Sequence, residues 1–199
     1  KKEGDSIFNC AGVLRNNSII TEYKKQELPN YEVFDEKRYF QPGNSPGIFE
    51  VNGFRVGLSV CEDIWHQKVI TQLHDKGADL VLNINASPFH LNKIQERKNL
   101  ISGHASKFSM PIVYANQVGG QDELVFDGTS MAMDSKGKQV LQLAKFEEDQ
   151  AVVSFLSQHD GNILSDKNEV IPEDSELEEV YRALVLGAKD YINKNKFVN

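Results

Sequence analysis

Apolar and polar positions follow two different periods along this chain. Phe54 to Val60 is a short apolar run with β-branched members, the signature of a buried strand, and it closes on Cys61. Immediately after it, Trp65 to Lys76 sets Val69, Ile70 and Leu73 at helical spacing, with Gly77 placed to stop the helix. Strands are also predicted over Asp79 to Asn85, Pro111 to Asn116, Ser130 to Met133, Gln139 to Ala144 and Ala151 to Phe155, and a second helix over Leu91 to Phe108. Nearer the N-terminus, Ser6 to Leu14 and Ser18 to Tyr23 read as a hairpin around Arg15-Asn16-Asn17. Lys24 to Gly47 is a long irregular stretch of mixed aromatics and charges, the kind of loop that often carries function. Strands and helices in alternation, followed by strands alone, predict a layered α/β sandwich.

From His159 to Asp174 the pattern loosens into a polar linker. A last helix is predicted from about Glu176 to Asn195, with Ser175 and Glu178 spaced as a capping box. Its apolar face, Val180, Leu184, Ala188, Tyr191 and Ile192, needs cover; the pattern allows a fold back onto its own domain or packing on something else. The organisation read from these boundaries is one domain over 1–158, then a linker and helix over 159–199.

Composition narrows the function classes. With 199 residues, 40% hydrophobic and 26% charged, the chain fits one globular domain with a sizeable core. A net charge of −7 speaks against a general nucleic-acid or membrane-surface binder. Two cysteines without a CxxC pair, and no signal-like or membrane-length apolar segment, point to a reducing cytoplasm, so no Cys10–Cys61 disulfide is expected.

Cys61 is the candidate nucleophile, although a free Cys is more often an inert apolar filler. A sharp strand-to-helix turn there would lift its thiol out of the sheet and bring backbone N–H groups toward whatever it attacks, which suits acyl transfer. A thiol with a free pKa of about 8.5 also needs a neighbouring base or positive charge. The histidines, His66, His74, His90, His104 and His159, are scattered, and only His66 is near Cys61 in sequence. No Gly-x-Cys-x-Gly elbow, zinc pattern or EF-hand spacing occurs, the last despite the acidic Asp122, Glu123 and Asp127, so no metal site is expected. Arg97 and Arg38 are expected to pair with such carboxylates in a structural ion network. A lysine from the Tyr23-Lys24-Lys25 segment is the better partner for the thiol.

Tyr-x-Lys-x-x-Leu, then Val-Phe-x-Glu and Pro-Gly, then a strand ending in Cys61-Glu62-Asp63, resemble the nitrilase superfamily. That family carries a Glu-Lys-Cys triad on an αββα sandwich. Leu28 to Phe40, Cys61 to Trp65, Asn85-Ala86-Ser87-Pro88-Phe89 and Gly119 to Gly128 further resemble the glutaminase domains of glutamine-dependent NAD synthetases. The resemblance implies that Lys25 is the triad lysine, one position on from Lys24, stabilising the oxyanion together with the backbone N–H of Glu62. It makes Glu36 the supporting glutamate that orients Lys25. It also implies that Tyr31, Glu62 and Ser87 contact the α-amino and α-carboxyl ends of glutamine, with Phe34 lining the pocket.

The triad's general base, a glutamate, should precede the lysine loop by a long stretch, and Glu3 is too close to it. The chain is therefore expected to be a partial nitrilase-like sandwich lacking N-terminal elements. Tyr181 to Tyr191 resembles the connector helix leading into an ATP-using synthetase domain whose Ser-Gly-Gly-x-Asp-Ser phosphate loop does not occur here. The implied reaction is glutamine hydrolysis through a cysteine thioester, with ammonia passed on for amidation of deamido-NAD. The implied partners are L-glutamine here, and deamido-NAD, ATP and magnesium at the synthetase domain, in a cytoplasmic homo-oligomer, with no cofactor of this chain's own. The alternative is a stand-alone amidase or carbamoylase of the same superfamily.

Overall fold

The computed structural model describes residues 1–159, 162–165 and 174–197. Strands β1 (Cys10–Arg15) and β2 (Ser18–Lys24) form an antiparallel hairpin. Its turn residues Asn16 and Asn17 both take positive φ, which matches the twist of a tight hairpin and which Asn tolerates better than most side chains. The other strands longer than two residues are β3 (Gly47–Val51), β4 (Phe54–Val60), β5 (Leu80–Asn85), β6 (Ile112–Asn116), β7 (Val118–Gln121), β8 (Leu124–Asp127), β9 (Met131–Met133) and β10 (Gln139–Gln142). Six of them make one sheet in the order β10-β9-β6-β5-β4-β3, with β4, β5 and β6 parallel and the outer pairs antiparallel.

Helices α1 (Gln67–Asp75) and α2 (Lys93–Phe108) cover this sheet. They bury Val69, Ile70, Leu73, Ile101 and Ala105 in one core with Val81, Ile112 and Met131, and each of these side chains larger than alanine contributes about 1.5–3 kcal/mol. Leu73 sits directly on the backbone of β4: a Cβ on Gly57 would lie 3.0 Å from both Leu73 Cδ atoms. The hairpin adds Ala11 and Tyr23 to the same core. A layered α/β architecture is thus what the pattern predicted, with β4 running over the predicted residues.

Four details differ. Gly47–Val51 is an edge strand, turned into β4 through Asn52 and Gly53 at positive φ, where the sequence reads as the end of an irregular stretch. The acidic segment around Asp122 and Glu123 is the turn of the β7–β8 hairpin. Ala151 to Phe155 forms no strand; Val153 and Phe155 pack beside Ala132, Val140 and Leu141 from an irregular segment, so burial there comes without a ladder. The first predicted strand is split, because Ser6–Ile7 pairs with Lys2–Glu3 and not with β2. Most of the predicted linker, residues 160–161 and 166–173, lies outside the described residues.

Helix α3 (Glu176–Lys194) starts where the capping pattern placed it, with Ser175 Oγ accepting the Glu178 N–H at 3.3 Å. It folds back onto the β7–β8 hairpin by a different face from the apolar one. Gly187 meets Gly120, Asp190 accepts the Gly120 N–H at 2.7 Å, and Glu179 pairs with the buried Lys145 at 2.7 Å. Leu184, Tyr191 and Ile192 remain exposed. Among the described residues, no helix is long and apolar enough to cross a membrane.

Candidate active site

Cys61 leaves the carboxyl end of β4, the side of a parallel sheet where ligands bind, and opens a 3-10 turn over Cys61–Trp65. Its φ is +46°, a left-handed conformation that costs a non-glycine residue about 1–3 kcal/mol and persists only where neighbours enforce it. Asp63 is the enforcing neighbour. Its Oδ2 accepts the Val60 N–H at 2.9 Å and the Tyr23 hydroxyl at 2.8 Å, while Oδ1 accepts the N–H groups of Gln26 at 3.1 Å and Glu27 at 2.9 Å. One buried carboxylate therefore ties the nucleophile turn to the segment that carries Lys25.

The two adjacent lysines sit in different surroundings. Lys24 points outward, pairs with Glu3 and lies over the Phe8 ring. Lys25 is 1% exposed, and its ammonium donates to Glu36 Oε1 at 2.8 Å. Its main chain is pinned on both sides, donating to Asn9 O at 2.9 Å and accepting from the Gly43 N–H at 2.8 Å. Burial pushes the Cys61 thiol up, and the Lys25 ammonium works hardest against that rise. Glu62 pushes the thiol up again, the Ala86 N–H helps to hold the thiolate, and Glu36 adds a smaller upward push.

Cys61 opens into a cavity of about 260 Å³ whose walls include Tyr31, Phe34, Glu62, Trp65 and Ser87. At one end the Tyr31 hydroxyl donates to Glu62 Oε2 at 2.8 Å, and His66 Nε2 stands 3.3 Å from Oε1. Burial, then Glu62 itself, raises the Tyr31 hydroxyl's pKa, so it stays a donor. Tyr31 and Phe34 meet edge-on with centroids 6.0 Å apart. The same cavity is lined by Ser87, just beyond β5, and Lys93, whose ammonium lies 4.1 Å from the Trp65 ring centroid and pairs with Glu96 at 3.4 Å. A carboxylate and a cation thus line one pocket that contains a thiol. A larger cavity, about 550 Å³, shares the Tyr31 and Glu62 wall and reaches Leu28, Phe40 and His66.

The structure brings together Cys61, Lys25, Glu36, Tyr31, Phe34, Glu62 and Ser87, the residues singled out from sequence. Asp63 and Lys93 were not foreseen. For Lys93 a physical signal exists: it opens α2, where the helix dipole disfavours a cation. Both cysteines are free. Arg97 does pair with Asp127, both Asp127 oxygens lying 2.8 Å from Nη1, whereas Arg38 pairs with Asp35 at 3.5 Å in an exposed position, away from the β7–β8 turn.

The model of the carbon-nitrogen hydrolase family matches residues 1–158. The chain belongs to that family. It is 37% identical to the glutamine-dependent NAD(+) synthetase of Aquifex aeolicus over 96% of its own length and 39% of the relative's. A solved structure of glutamine-dependent NAD+ synthetase from Acinetobacter baumannii, in complex with ADP, superposes with a TM-score of 0.92 at 38% identity, covering 99% of this chain and 37% of that one. An amidase of the nitrilase superfamily fold from Nesterenkonia sp. AN1 superposes at 0.61 with 26% identity, over 68% of this chain and 50% of that one. Its E41Q mutant holds the acetamide moiety of fluoroacetamide covalently at the active-site cysteine. The chain therefore spans little more than a third of the NAD synthetases it resembles.

Proposed function

We propose that this site hydrolyses the side-chain amide of L-glutamine through a Cys61 thioester. The ammonia then serves ATP-dependent amidation of deamido-NAD to NAD in the protein to which the site belongs. The observation that carries this reading is a thiol, held at the carboxyl end of β4 beside a buried ammonium, opening into a pocket that offers Glu62 and Lys93 as separate charged contacts. A free amino acid presents both an ammonium and a carboxylate. Glu62 takes the ammonium, with Tyr31 orienting it, and Ser87 and Lys93 take the carboxylate.

In the reaction the Cys61 sulfur bonds to the side-chain carbonyl carbon and the oxygen becomes an oxyanion. Lys25 and the Glu62 N–H stabilise that charge as it develops. Collapse of the tetrahedral intermediate breaks the C–N bond, and the nitrogen leaves as ammonia once it has taken a proton. The proton shuttle is assigned to the glutamate that the family resemblance places ahead of the lysine segment, and Glu36 orients Lys25. Water then attacks the thioester, releasing glutamate and the thiol. ATP and magnesium belong to the amidation half. We further infer a homo-oligomer in a reducing cytoplasm, the compartment read from two cysteines without a CxxC pair.

Cys61→Ala in the full-length protein is the test. Glutamine-supported NAD formation is abolished and ammonia-supported formation is spared; equal loss of both refutes the assignment. A preference for other amides over glutamine favours a stand-alone amidase or carbamoylase.

A further inference from the structure

Ser87 is held by more of the fold than a pocket wall requires. Asn116 brackets its main chain, accepting the Ser87 N–H at 2.9 Å and donating to the Ser87 carbonyl at 3.2 Å. Behind it stands Arg97, 0% exposed, on α2. Arg97 Nη2 donates to Ser87 O at 2.9 Å, Ser87 Oγ at 3.0 Å and Pro88 O at 2.9 Å, while Nη1 donates to both oxygens of the fully buried Asp127. A planar guanidinium with a fixed fork of donors can span these two sets at once; a lysine ammonium cannot.

We propose that Arg97 is a positioning residue that sets the polarity of the pocket. By donating to Ser87 Oγ it occupies an acceptor position of that oxygen and turns the hydroxyl proton toward a substrate carboxylate. A serine hydroxyl has one donor and two acceptor positions, so its free state is ambivalent between an ammonium and a carboxylate. The bond from Arg97 fills one of the two acceptor positions and, with Lys93 in the same wall, biases the hydroxyl toward donating, leaving the ammonium end to Glu62. Asp127 keeps the buried guanidinium paired and aims its fork, so Asp127 acts three hydrogen bonds away from any substrate.

This inference rests on the glutamine reading, and the test separates the two. Cys61 in the intact chain is labelled with 6-diazo-5-oxo-L-norleucine, a diazoketone with both amino-acid ends, with its methyl ester, in which the carboxylate is masked, and with iodoacetamide, which has neither end. Wild type labels saturably with the diazoketone. Arg97→Lys raises the half-saturating concentration about tenfold, the loss of one oriented hydrogen bond to a charged group, and leaves labelling by the ester and by iodoacetamide at the wild-type rate. In a Ser87→Ala background the same change adds nothing. Equal half-saturation in wild type and Arg97→Lys overturns the inference alone. So does a matching loss with iodoacetamide, because Arg97 then supports the fold and not the pocket. Wild type that never saturates sinks the glutamine reading and this inference with it. Should Arg97→Lys fail to fold, Arg97→Gln with Asp127→Asn removes both buried charges together and is held to the same outcomes.

Discussion

Asp63→Asn tests what holds the lysine segment against the nucleophile turn. The carboxylate accepts four hydrogen bonds, two at each oxygen, and the residue is 0% exposed. An asparagine of the same shape replaces one oxygen with a group that only donates. If that group faces Oδ1's partners, the Gln26 and Glu27 N–H groups lose their acceptor. If it faces Oδ2's, the Val60 N–H does, while the Tyr23 hydroxyl can rotate away. At least one buried donor is stranded, and each costs about 1–3 kcal/mol, so a loss of about 3 kcal/mol is expected. That is a large part of a typical folding free energy of about 5–15 kcal/mol. With a urea slope of about 2 kcal/mol per molar, the unfolding midpoint falls by about 1.5 M at unchanged slope. Cys61 labelling slows as well, because the segment that positions Lys25 is released. A midpoint shift worth less than about 0.5 kcal/mol, the range of ordinary surface substitutions, refutes the clamp.

Other outcomes follow from the same geometry. Alkylation of Cys61 by iodoacetamide accelerates with pH through a midpoint above the ordinary thiol value of about 8.5, since burial outweighs the help from Lys25. Lys25→Met removes a favourable charge and moves that midpoint further up, whereas Glu36→Gln removes an unfavourable one and moves it down; a shift of the same sign in both variants contradicts the placement. Glu62→Gln weakens half-saturation by glutamine about tenfold or more in ammonia-release kinetics, through loss of a charged hydrogen bond at the ammonium end; an unchanged KM argues against that end assignment. Gly57→Ala puts a methyl 3.0 Å from Leu73 and lowers stability by about 1–3 kcal/mol in a denaturant titration; a neutral result means that α1 shifts to accommodate it.

The parts of this site that were legible in sequence are those written within a few consecutive residues. Cys61 ends a strand whose apolar run is unambiguous, and the segments around Tyr31, Glu36 and Ser87 carry their chemistry in local motifs. Asp63, Lys93 and the role of Arg97 were not legible, because Asp63 reaches the lysine segment across 36 to 40 positions, Arg97 reaches Ser87, Pro88 and Asp127 across 9 to 30, and Lys93 only shares a pocket wall. The strand of 47–51 escaped notice because it is an edge, half-exposed and without clean alternation, next to a loop rich in turn residues. Over 151–155 the opposite error arose: Val153 and Phe155 are partly buried there by packing alone, while Val152 is exposed, and the segment forms no strand. Helix α3 shows why an apolar stripe does not predict the docking face, since glycine contact and ion pairs chose the other side.

The account's central claim is that Cys61, beside Lys25, is the thiol that takes up a glutamine-shaped acyl group. Peptide mapping after 6-diazo-5-oxo-L-norleucine treatment tests it with an internal control, because Cys10 is a second free cysteine of intermediate burial. Modification confined to the Cys61 peptide and suppressed by L-glutamine is the predicted result. Labelling shared between Cys10 and Cys61, unaffected by L-glutamine, contradicts it.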